Sequence, residues 1–338
     1  MGRIVSGVSL FFALTLFALT CLAGETLENV KKNGLVRCGV GEGIPGFSER
    51  DASGRFTGID AAYCRAVAAA IFGDPEKVSF TPLPAPARFT ALLGKEIDVL
   101  ARNATWTIGR EASLGVVFVG PLILTGQGFL LRAADAERGV KALDGARVAV
   151  VRGSTHALNL EESEIKFGVK PIPVLFDAWD EARAAFFSGA CDALTDDEIT
   201  LQTARVLAPG GPEGYALLPG RFSKEPLSPV VRQDDAQWLV LTRSVLALLV
   251  MAEEYGVTAR DVKEGGAMHP MGRLLLAHAD VVGQKLGLAP EWAEKTVAAC
   301  GNFGEIYARN LGEDSPYKIP RGLSATWNHG GLLWAPPF

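Results

Sequence analysis

The sequence predicts an α/β protein of two lobes joined by two crossover strands. A strand–helix–strand unit occurs twice, in residues 35–101 and 147–195, and such alternation is typical of mostly parallel sheets with helices on both faces. Two extended apolar runs, Gln127–Arg132 and Leu227–Arg232, border the second unit and are the predicted crossings. We therefore expect one lobe to be interrupted by insertion of the other, with a ligand cleft at the carboxyl ends of the strands.

The first unit combines short apolar runs, which end in glycine or turn residues, with one long alanine-rich helix. Asp60 lies at the start of that helix, where a carboxylate can accept hydrogen bonds from free amide groups. The elements predicted for this unit are helix Thr26–Lys32, strand Leu35–Val40, helix Ile59–Phe72, strand Val78–Leu83, helix Arg88–Leu93 and strand Ile97–Ala101.

The second unit repeats this order of elements. Its predicted elements are strand Arg147–Val151, helix Thr155–Glu162, strand Pro173–Phe176, helix Asp180–Ser188 and strand Asp192–Thr195. We place the first lobe in residues 24–130 and the second lobe in residues 131–225. Residues 226–338 are expected to rejoin the first lobe and to form a C-terminal extension.

The composition is that of a folded protein that does not bind nucleic acid. The chain has 338 residues, 48% of them hydrophobic, which suffices for buried cores in about two domains. Lys and Arg together number 33 against 38 Asp and Glu, so the chain lacks the basic excess that nucleic-acid binding usually needs.

Residues 1–23 have the pattern of a signal peptide. Arg3 precedes the apolar run Ile4–Leu19, and the segment from Cys21 to Ala23 offers the small residues that a signal peptidase recognises. The run is shorter than the roughly 20 apolar residues of a membrane-spanning helix. The residues before Cys21 do not fit a lipidation site. We expect cleavage near Ala23, export to the periplasm and no later segment that is long and apolar enough to span a membrane.

Four cysteines follow the predicted leader, at positions 38, 64, 191 and 300. An oxidising compartment permits disulfides, and four cysteines allow three complete pairings. The predicted topology places the strand of Cys38 beside the helix of Cys64, so we expect these two to be bonded. No two cysteines have the spacing of a CxxC motif, so we expect no metal centre, and no cofactor is predicted.

The glycine-rich loop Gly41–Gly46 follows the first strand and matches the GxGxxG dinucleotide-binding pattern. A pyrophosphate site requires a helix to begin there, whereas residues 47–54 form a turn-rich stretch. We interpret the loop as part of the cleft mouth, with Phe47 offering an aromatic face.

Three polar segments lie where predicted strands end. Arg102–Arg110 contains two arginines, a tryptophan and two threonines, and a guanidinium can bind a carboxylate through two hydrogen bonds. Gly153–Thr155 opens a helix, where hydroxyls cap free amides and an anion is favoured. Asp192–Asp197 offers carboxylates that can hold an ammonium group. From the residues alone, solvated loops and a plain helix cap explain these segments about as well.

Several segments between Arg37 and Pro337 together match one known family. They are Arg37–Val40, Cys64–Asp74, Arg88–Leu92, Arg102–Thr107, Ser223–Leu227, Gly301–Tyr307, Arg321–Trp327 and Gly330–Pro337. From about Leu27 to Phe338 the chain resembles bacterial extracellular solute-binding proteins of family 3, specifically the general L-amino-acid-binding component of an ABC transporter. The resemblance implies a type II periplasmic-binding-protein fold, a free L-amino acid as ligand and a membrane ABC permease as partner.

The resemblance also implies the roles of individual residues. Arg110, helped by Thr105, would bind the ligand's α-carboxylate, and Asp197 would bind its α-ammonium group. The other implied contacts are donors to the carboxylate from Ser154 and Thr155 and a side-chain pocket lined by Phe47 and Trp106.

The sequence departs from the family pattern at Arg152 and His156, where uncharged residues are usual. A cation and a histidine beside the cleft would favour an acidic ligand side chain, although both can also face solvent. Ala149 stands where the family tends to carry a cysteine that partners the counterpart of Cys191, so we expect Cys191 to be a free thiol.

The expected function is capture of an amino acid by a monomer that closes through hinge motion, docks on the permease and catalyses no reaction. The alternative is an enzyme that resembles the cyclohexadienyl and arogenate dehydratases, which share this fold and expel water with an acid in the cleft. The residues that could supply a proton are Asp196, Asp197, Glu198 and His156. No separate acid–base pair is evident in the sequence.

Overall fold

The computed structural model describes residues 24–265 and 268–338, so the predicted signal peptide lies outside the described residues. The described chain forms two five-stranded sheets flanked by helices and connected by a two-stranded crossing. This arrangement confirms the predicted α/β fold of two lobes with two crossover strands.

The first sheet is built from both ends of the chain, in the order β4-β1-β5-β14-β6. Its strands are β1 (Val36–Val40), β4 (Val78–Pro82), β5 (Val99–Leu100), β6 (Val116–Phe118) and β14 (Val230–Arg232). Strand β1 pairs in parallel with β4 and β5, whereas β14 runs antiparallel to β5 and β6. The hairpin strands β2 (Glu49–Arg50) and β3 (Phe56–Thr57) and the helices α1 (Glu25–Asn33), α2 (Ile59–Phe72), α3 (Arg88–Leu93) and α4 (Ile108–Leu114) complete this part.

The second sheet repeats this plan in the order β10-β9-β11-β8-β12. Its strands are β8 (Gln127–Arg132), β9 (Arg147–Val151), β10 (Ile172–Phe176), β11 (Ala193–Asp197) and β12 (Tyr215–Leu217). Strands β10, β9 and β11 are parallel, and β8 and β12 are antiparallel additions. The helices here are α5 (Ala133–Ala136), α6 (Thr155–Glu161), α7 (Ser163–Phe167), α8 (Trp179–Phe187) and α9 (Glu198–Val206).

The crossing consists of β7 (Ile123–Thr125) and β13 (Glu225–Leu227), which pair antiparallel with each other. This pair lies slightly upstream of the predicted runs. Gln127–Arg132 belongs entirely to the second sheet, and Leu227–Arg232 is divided near Pro229, which has no N–H for a strand ladder. The lobe boundaries at residues 130 and 225 stay predictions.

The C-terminal third packs mainly on the first lobe. Its helices are α10 (Ala236–Glu254), α11 (Ala259–Glu264), α12 (Pro270–Lys285), α13 (Trp292–Cys300) and α14 (Phe303–Asn310), and α10, α13 and α14 all contact α2. Contrary to the sequence analysis, α10 is long and apolar enough to span a membrane, but 67% of its apolar window is buried inside the protein. Its apolar side chains therefore belong to the core.

The predicted disulfide between Cys38 and Cys64 is present and joins β1 to α2. The two cysteines are 26 residues apart in sequence, a loop whose closure contributes about 3 kcal/mol to the free energy of unfolding. Cys191 is a buried free thiol, as predicted, and Cys300 is also free and buried.

Candidate functional site

A cavity lies between the two sheets, where loops that follow the carboxyl ends of β5, β9 and β11 face one another. Its volume is about 40 Å³. The first lobe lines it with Ile44, Ala85, Arg88, Arg102, Asn103, Thr105 and Arg110, and the second with Val151, Ser154, Thr155, His156, Trp179, Asp196 and Thr200. The predicted cleft at the carboxyl ends of the strands is therefore present.

The two lobes contact each other around this cavity. The hydroxyl oxygens of Thr105 and Thr155 are 3.2 Å apart. An Arg88 Nη2 group donates to the backbone carbonyl of Gly153 over 3.3 Å. Because these bonds join one lobe to the other, the structure represents a closed arrangement, and its cavity is correspondingly small.

Arg110 projects from the first turn of α4, which Thr107 caps by accepting the Arg110 backbone N–H over 3.2 Å. One guanidinium nitrogen donates to the backbone carbonyl of Thr105 over 2.7 Å, and the group lies 5.4 Å from the centre of the Phe89 ring. Burial lowers the pKa of Arg110, while Glu225 and Asp197 raise it. A guanidinium has five N–H donors, so several remain that could bind a carboxylate.

Ser154 and Thr155 both line the cavity, but their hydroxyls already have partners. Ser154 caps α6 by accepting the Ala157 N–H over 3.2 Å, and it donates to the Val151 carbonyl over 2.7 Å. The Thr155 hydroxyl donates to Glu225 over 2.8 Å. Local helix capping therefore accounts for the Ser154 hydroxyl, and a carboxylate outside the predicted set engages Thr155.

His156 lies between two carboxylates in the second lobe. Its Nε2 is 3.4 Å from Asp197 Oδ1, and its Nδ1 is 3.9 Å from Asp196 Oδ2. Burial alone would lower the pKa of His156, but the carboxylates of Asp197 and Asp196 raise it to about 9. Burial raises the pKa of Asp197 to about 7 despite the nearby imidazole. The group is thus an imidazolium flanked by acids.

The Asp197 carboxylate is 1% exposed, and neither of its oxygens has a hydrogen-bond partner. Asp197 does not itself line the cavity but lies directly behind His156, which does. One oxygen of Asp196, by contrast, accepts the Asp197 backbone N–H over 2.8 Å. Asp197 accepts no hydrogen bond, so the His156 imidazolium 3.4 Å away compensates for its burial, and a bound cation would share this carboxylate with His156.

His156, Asp196 and Asp197 could also be considered as metal ligands, since their ligand atoms lie within 4.8 Å of one another. The two imidazole nitrogens, however, face different carboxylates. A protonated imidazole can donate in both directions, whereas a single metal ion would use only one of its nitrogens. The geometry favours ion pairing.

Two further arginines belong to this site: Arg102, which the sequence offered only as part of the segment Arg102–Arg110, and Arg88, to which it gave no role in the cleft. Arg88 is 4% exposed and Arg102 8% exposed, and both line the cavity with Arg110. Among the described residues, none of the three has a carboxylate oxygen within 4.0 Å. Burial lowers the pKa of Arg88 well below its usual value, and the neighbouring arginines lower it further. This wall of the cavity therefore carries three guanidinium groups without a direct ion pair to any described residue, although Asp196, Asp60 and Glu42 act on Arg102 from farther away.

Asn103 also belongs to the segment Arg102–Arg110, and the sequence assigned it no role of its own. It lines the cavity, its side-chain oxygen is buried without a partner, and its backbone has a φ of 33°, which few residues other than glycine adopt. Its backbone N–H donates to Asp60 over 2.9 Å. Strained backbone of this kind is common at binding sites, but a sequence carries no signal for it.

The structure does not bring four predicted residues to the cavity wall: Asp197, which lies behind His156, and Phe47, Trp106 and Arg152. Phe47 is 1% exposed and belongs to the hydrophobic core of the first lobe. Trp106 stacks on Phe118, with ring centres 6.2 Å apart. Arg152 is exposed and pairs with Asp177 over 2.9 Å. The rings of Phe47 and Trp106 pack against other apolar side chains instead of lining the cavity. The turn at Gly153 separates Arg152 from the cavity.

Comparisons with known proteins agree with this architecture. The family of bacterial extracellular solute-binding proteins, family 3, matches residues 36–258. The chain is 43% identical over 318 residues, 93% of each protein, to the general L-amino acid-binding periplasmic protein AapJ of Rhizobium johnstonii. It is 39% identical over 330 residues to the glutamate/glutamine/aspartate/asparagine-binding protein BztA of Rhodobacter capsulatus, covering 96% of this chain and 97% of BztA.

A solved structure resembles the chain over nearly its whole length. It is an ABC transporter periplasmic binding protein from Brucella ovis with glutathione bound, 44% identical, with a TM-score of 0.86 over 92% of this chain and 98% of that one. Sequence, fold and cleft therefore agree, and the chain belongs to the bacterial extracellular solute-binding proteins, family 3.

Proposed function

We propose that this protein is the substrate-binding component of an amino-acid ABC transporter, which captures a free L-amino acid between its lobes and delivers it to a membrane permease. The observation that carries the proposal is the pairing of charges in the cleft. The half-buried guanidinium of Arg110 lines the cavity from one lobe, and the buried carboxylate of Asp197 lies behind His156 in the other. This arrangement suits the two charged groups of an amino-acid zwitterion, and the names of AapJ and BztA support it.

In the proposed mechanism, Arg110 binds the ligand's carboxylate in the first lobe, and Asp197 then receives the ammonium group as the second lobe closes and the Thr105 hydroxyl engages Thr155. The hydrogen bonds between the lobes stabilise the closed form, which the permease recognises. We infer that residues 1–23 direct the chain to the periplasm and that it acts there as a monomer.

The first experiment is a thermal-shift screen of all standard amino acids and glutathione. A ligand at 100 times its dissociation constant adds about 2.7 kcal/mol to the free energy of unfolding, which raises the melting temperature measurably. If none of these compounds shifts the melting temperature, the proposed function is wrong.

The side-chain preference is proposed to be for ligands with a second carboxylate or an amide. Arg88 and Arg102 lie in the same cavity as Arg110 without ion-pair partners, so a second anionic group would relieve their mutual repulsion. BztA is named for acidic amino acids and their amides, and the Brucella protein holds glutathione, which has two carboxylates. This assignment replaces Arg152 with Arg88 and Arg102 as the source of an acidic preference.

Arg102→Gln should lower the affinity for L-glutamate about 10-fold to 100-fold more than the affinity for L-leucine, because a charge-assisted bond contributes roughly 1.5–3 kcal/mol. Titration calorimetry of both ligands measures the ratio. Arg152→Gln is the matched control, since it removes an exposed arginine and should leave the ratio unchanged. A shift of the ratio in Arg152→Gln alone would restore the role predicted from the sequence.

Ligand affinity should fall as the pH falls below about 7. Burial raises the pKa of Asp197 to about 7, and a protonated carboxyl cannot pair with an ammonium group. His156, with a pKa of about 9, stays charged over this range and adds no opposing change. Calorimetry from pH 5 to pH 8 should show a loss approaching tenfold per pH unit in wild type. The slope should be absent in Asp197→Asn, and a flat wild-type profile would contradict the assignment.

A dehydratase is the second candidate function, favoured by one observation. His156 and Asp197 form a buried pair beside the cavity that could move a proton. Incubation with prephenate and with arogenate, followed by chromatography of the products, tests it. Aromatic product formed by wild type but not by His156→Gln would establish an enzyme, and its absence leaves capture as the function.

A further inference from the structure

Glu225 is a buried carboxylate in the crossing between the lobes. It is the first residue of β13, pairs with Thr125 of β7 and is 2% exposed. Among the described residues, no cation lies within 4.0 Å of its oxygens. A charge held at the joint of a two-lobed protein is costly unless hydrogen bonds compensate for it, so its partners indicate what it does.

Three donors converge on this carboxylate. Thr155 donates to Oε2 over 2.8 Å, while Ser223 and Asn159 donate to Oε1 over 2.5 Å and 3.3 Å. Thr155 and Asn159 are four residues apart in α6 and therefore share one face of that helix. Glu225 thus ties the crossing strand to the helix whose first residue lines the cavity.

These bonds also fix the direction of the hydrogen bond between the lobes. An ionised carboxylate only accepts, so the single hydroxyl hydrogen of Thr155 points to Glu225. The Thr155 oxygen is then left to accept the hydroxyl hydrogen of Thr105, which is 3.2 Å away in the first lobe. A chain of hydrogen bonds runs from Thr105 through Thr155 to Glu225.

We propose that Glu225 is a positioning residue for ligand capture. It orients the Thr155 hydroxyl so that Thr155 accepts a hydrogen bond from Thr105 when the two lobes close. In this role Glu225 never touches the ligand. Its effect on ligand affinity rests on the proposed function, whereas its bond to Thr155 can be tested without any ligand.

The negative charge of Glu225 and its hydrogen bond to Thr155 predict opposite effects on ligand affinity. It lies close enough to Arg110 to raise the pKa of that guanidinium. If Glu225 acted only as a negative charge, it would repel a ligand carboxylate held by Arg110, and its removal would tighten binding. If it acts by orienting Thr155, its removal weakens binding.

Two substitutions separate these effects, with L-glutamate as the probe in calorimetry. Glu225→Gln removes the charge, and Glu225→Asp keeps the charge but shortens the side chain by one methylene group. Both should weaken binding about tenfold, equivalent to about 1.4 kcal/mol. Glu213→Gln, which removes an exposed carboxylate of the second lobe, should remain within about twofold of wild type. Tighter or unchanged binding in Glu225→Gln would overturn the proposal.

The second readout needs no ligand. Urea unfolding of Glu225→Ala, Thr155→Val and the double variant should show a non-additive loss, because both single changes remove the hydrogen bond between these two side chains. Additive losses would overturn the proposal even if the affinity data agreed with it. If wild type binds no amino acid at all, the proposed function fails, and this unfolding cycle alone decides the role of Glu225.

Discussion

Replacing Arg110 with alanine should weaken the binding of every amino acid by about 30-fold to several thousand-fold. Removing one partner of a buried, charge-assisted contact costs roughly 2–5 kcal/mol, because the other charge remains desolvated. In the proposed pose the ligand's α-carboxylate is that other charge. The loss should be similar for acidic, apolar and basic ligands, since the α-carboxylate is common to all of them.

Calorimetry with L-glutamate, L-leucine and L-arginine provides the measurement, with circular dichroism to show that the variant is folded. Arg152→Ala is the control, because it also removes an arginine from the cleft region but an exposed one paired with Asp177. L-Leucinamide, which lacks the carboxylate, should bind wild type poorly and lose little further affinity in Arg110→Ala. Affinities within about threefold of wild type for the amino acids would show that Arg110 has another role.

The elements that the sequence predicted best are those whose local pattern is strong. Helix α2 begins and ends at the predicted residues, and so does β9, because long alanine-rich or continuous apolar segments carry a clear signal. Strand β5 is only two residues long although five were predicted. The length of a strand depends on how far its neighbours run alongside it, and residues distant in sequence decide that.

The site residues show even more clearly that a local sequence pattern does not reveal contacts between distant parts of the chain. Arg110 was predicted because a family pattern marks it, whereas Arg88 reaches the cavity from a separate helix and no local pattern indicates that it does so. Arg152 was placed beside the cleft because it departs from the family pattern in the segment that also contains Thr155. Gly153, with a φ of 71°, turns the chain between them, and the arginine pairs with Asp177 at the surface. Neighbours in sequence thus separate in space at a single turn.

The group formed by His156, Asp196 and Asp197 in the second lobe was likewise only partly predictable. His156 was noted as a departure from the family pattern, and the carboxylates of β11 were noted separately. Their convergence depends on the pairing of β9 with β11, which brings the start of α6 beside the end of β11. A sequence reveals the residue types, but the order of strands in the sheet determines which charged residues lie close enough to form an ion pair.

Asp197→Asn should also weaken the binding of every amino acid by about 30-fold to several thousand-fold, since it removes the counterion of the α-ammonium group. The substitution keeps the size of the side chain and removes its charge. It also leaves His156 with Asp196 as its nearest carboxylate, so the cavity becomes more positive and still less suited to an ammonium group.

Asp196→Asn is the matched comparison. Asp196 lines the cavity and Asp197 does not, yet one oxygen of Asp196 already accepts a backbone N–H, whereas neither oxygen of Asp197 accepts a hydrogen bond and His156 is its nearest partner. We therefore expect the smaller loss in Asp196→Asn. Calorimetry with L-glutamate and with 2-oxoglutarate, which lacks the amino group, shows which of the two aspartates binds the ammonium group. Asp197→Asn should abolish the preference for glutamate over 2-oxoglutarate, and if Asp196→Asn does so instead, the ammonium group binds to Asp196.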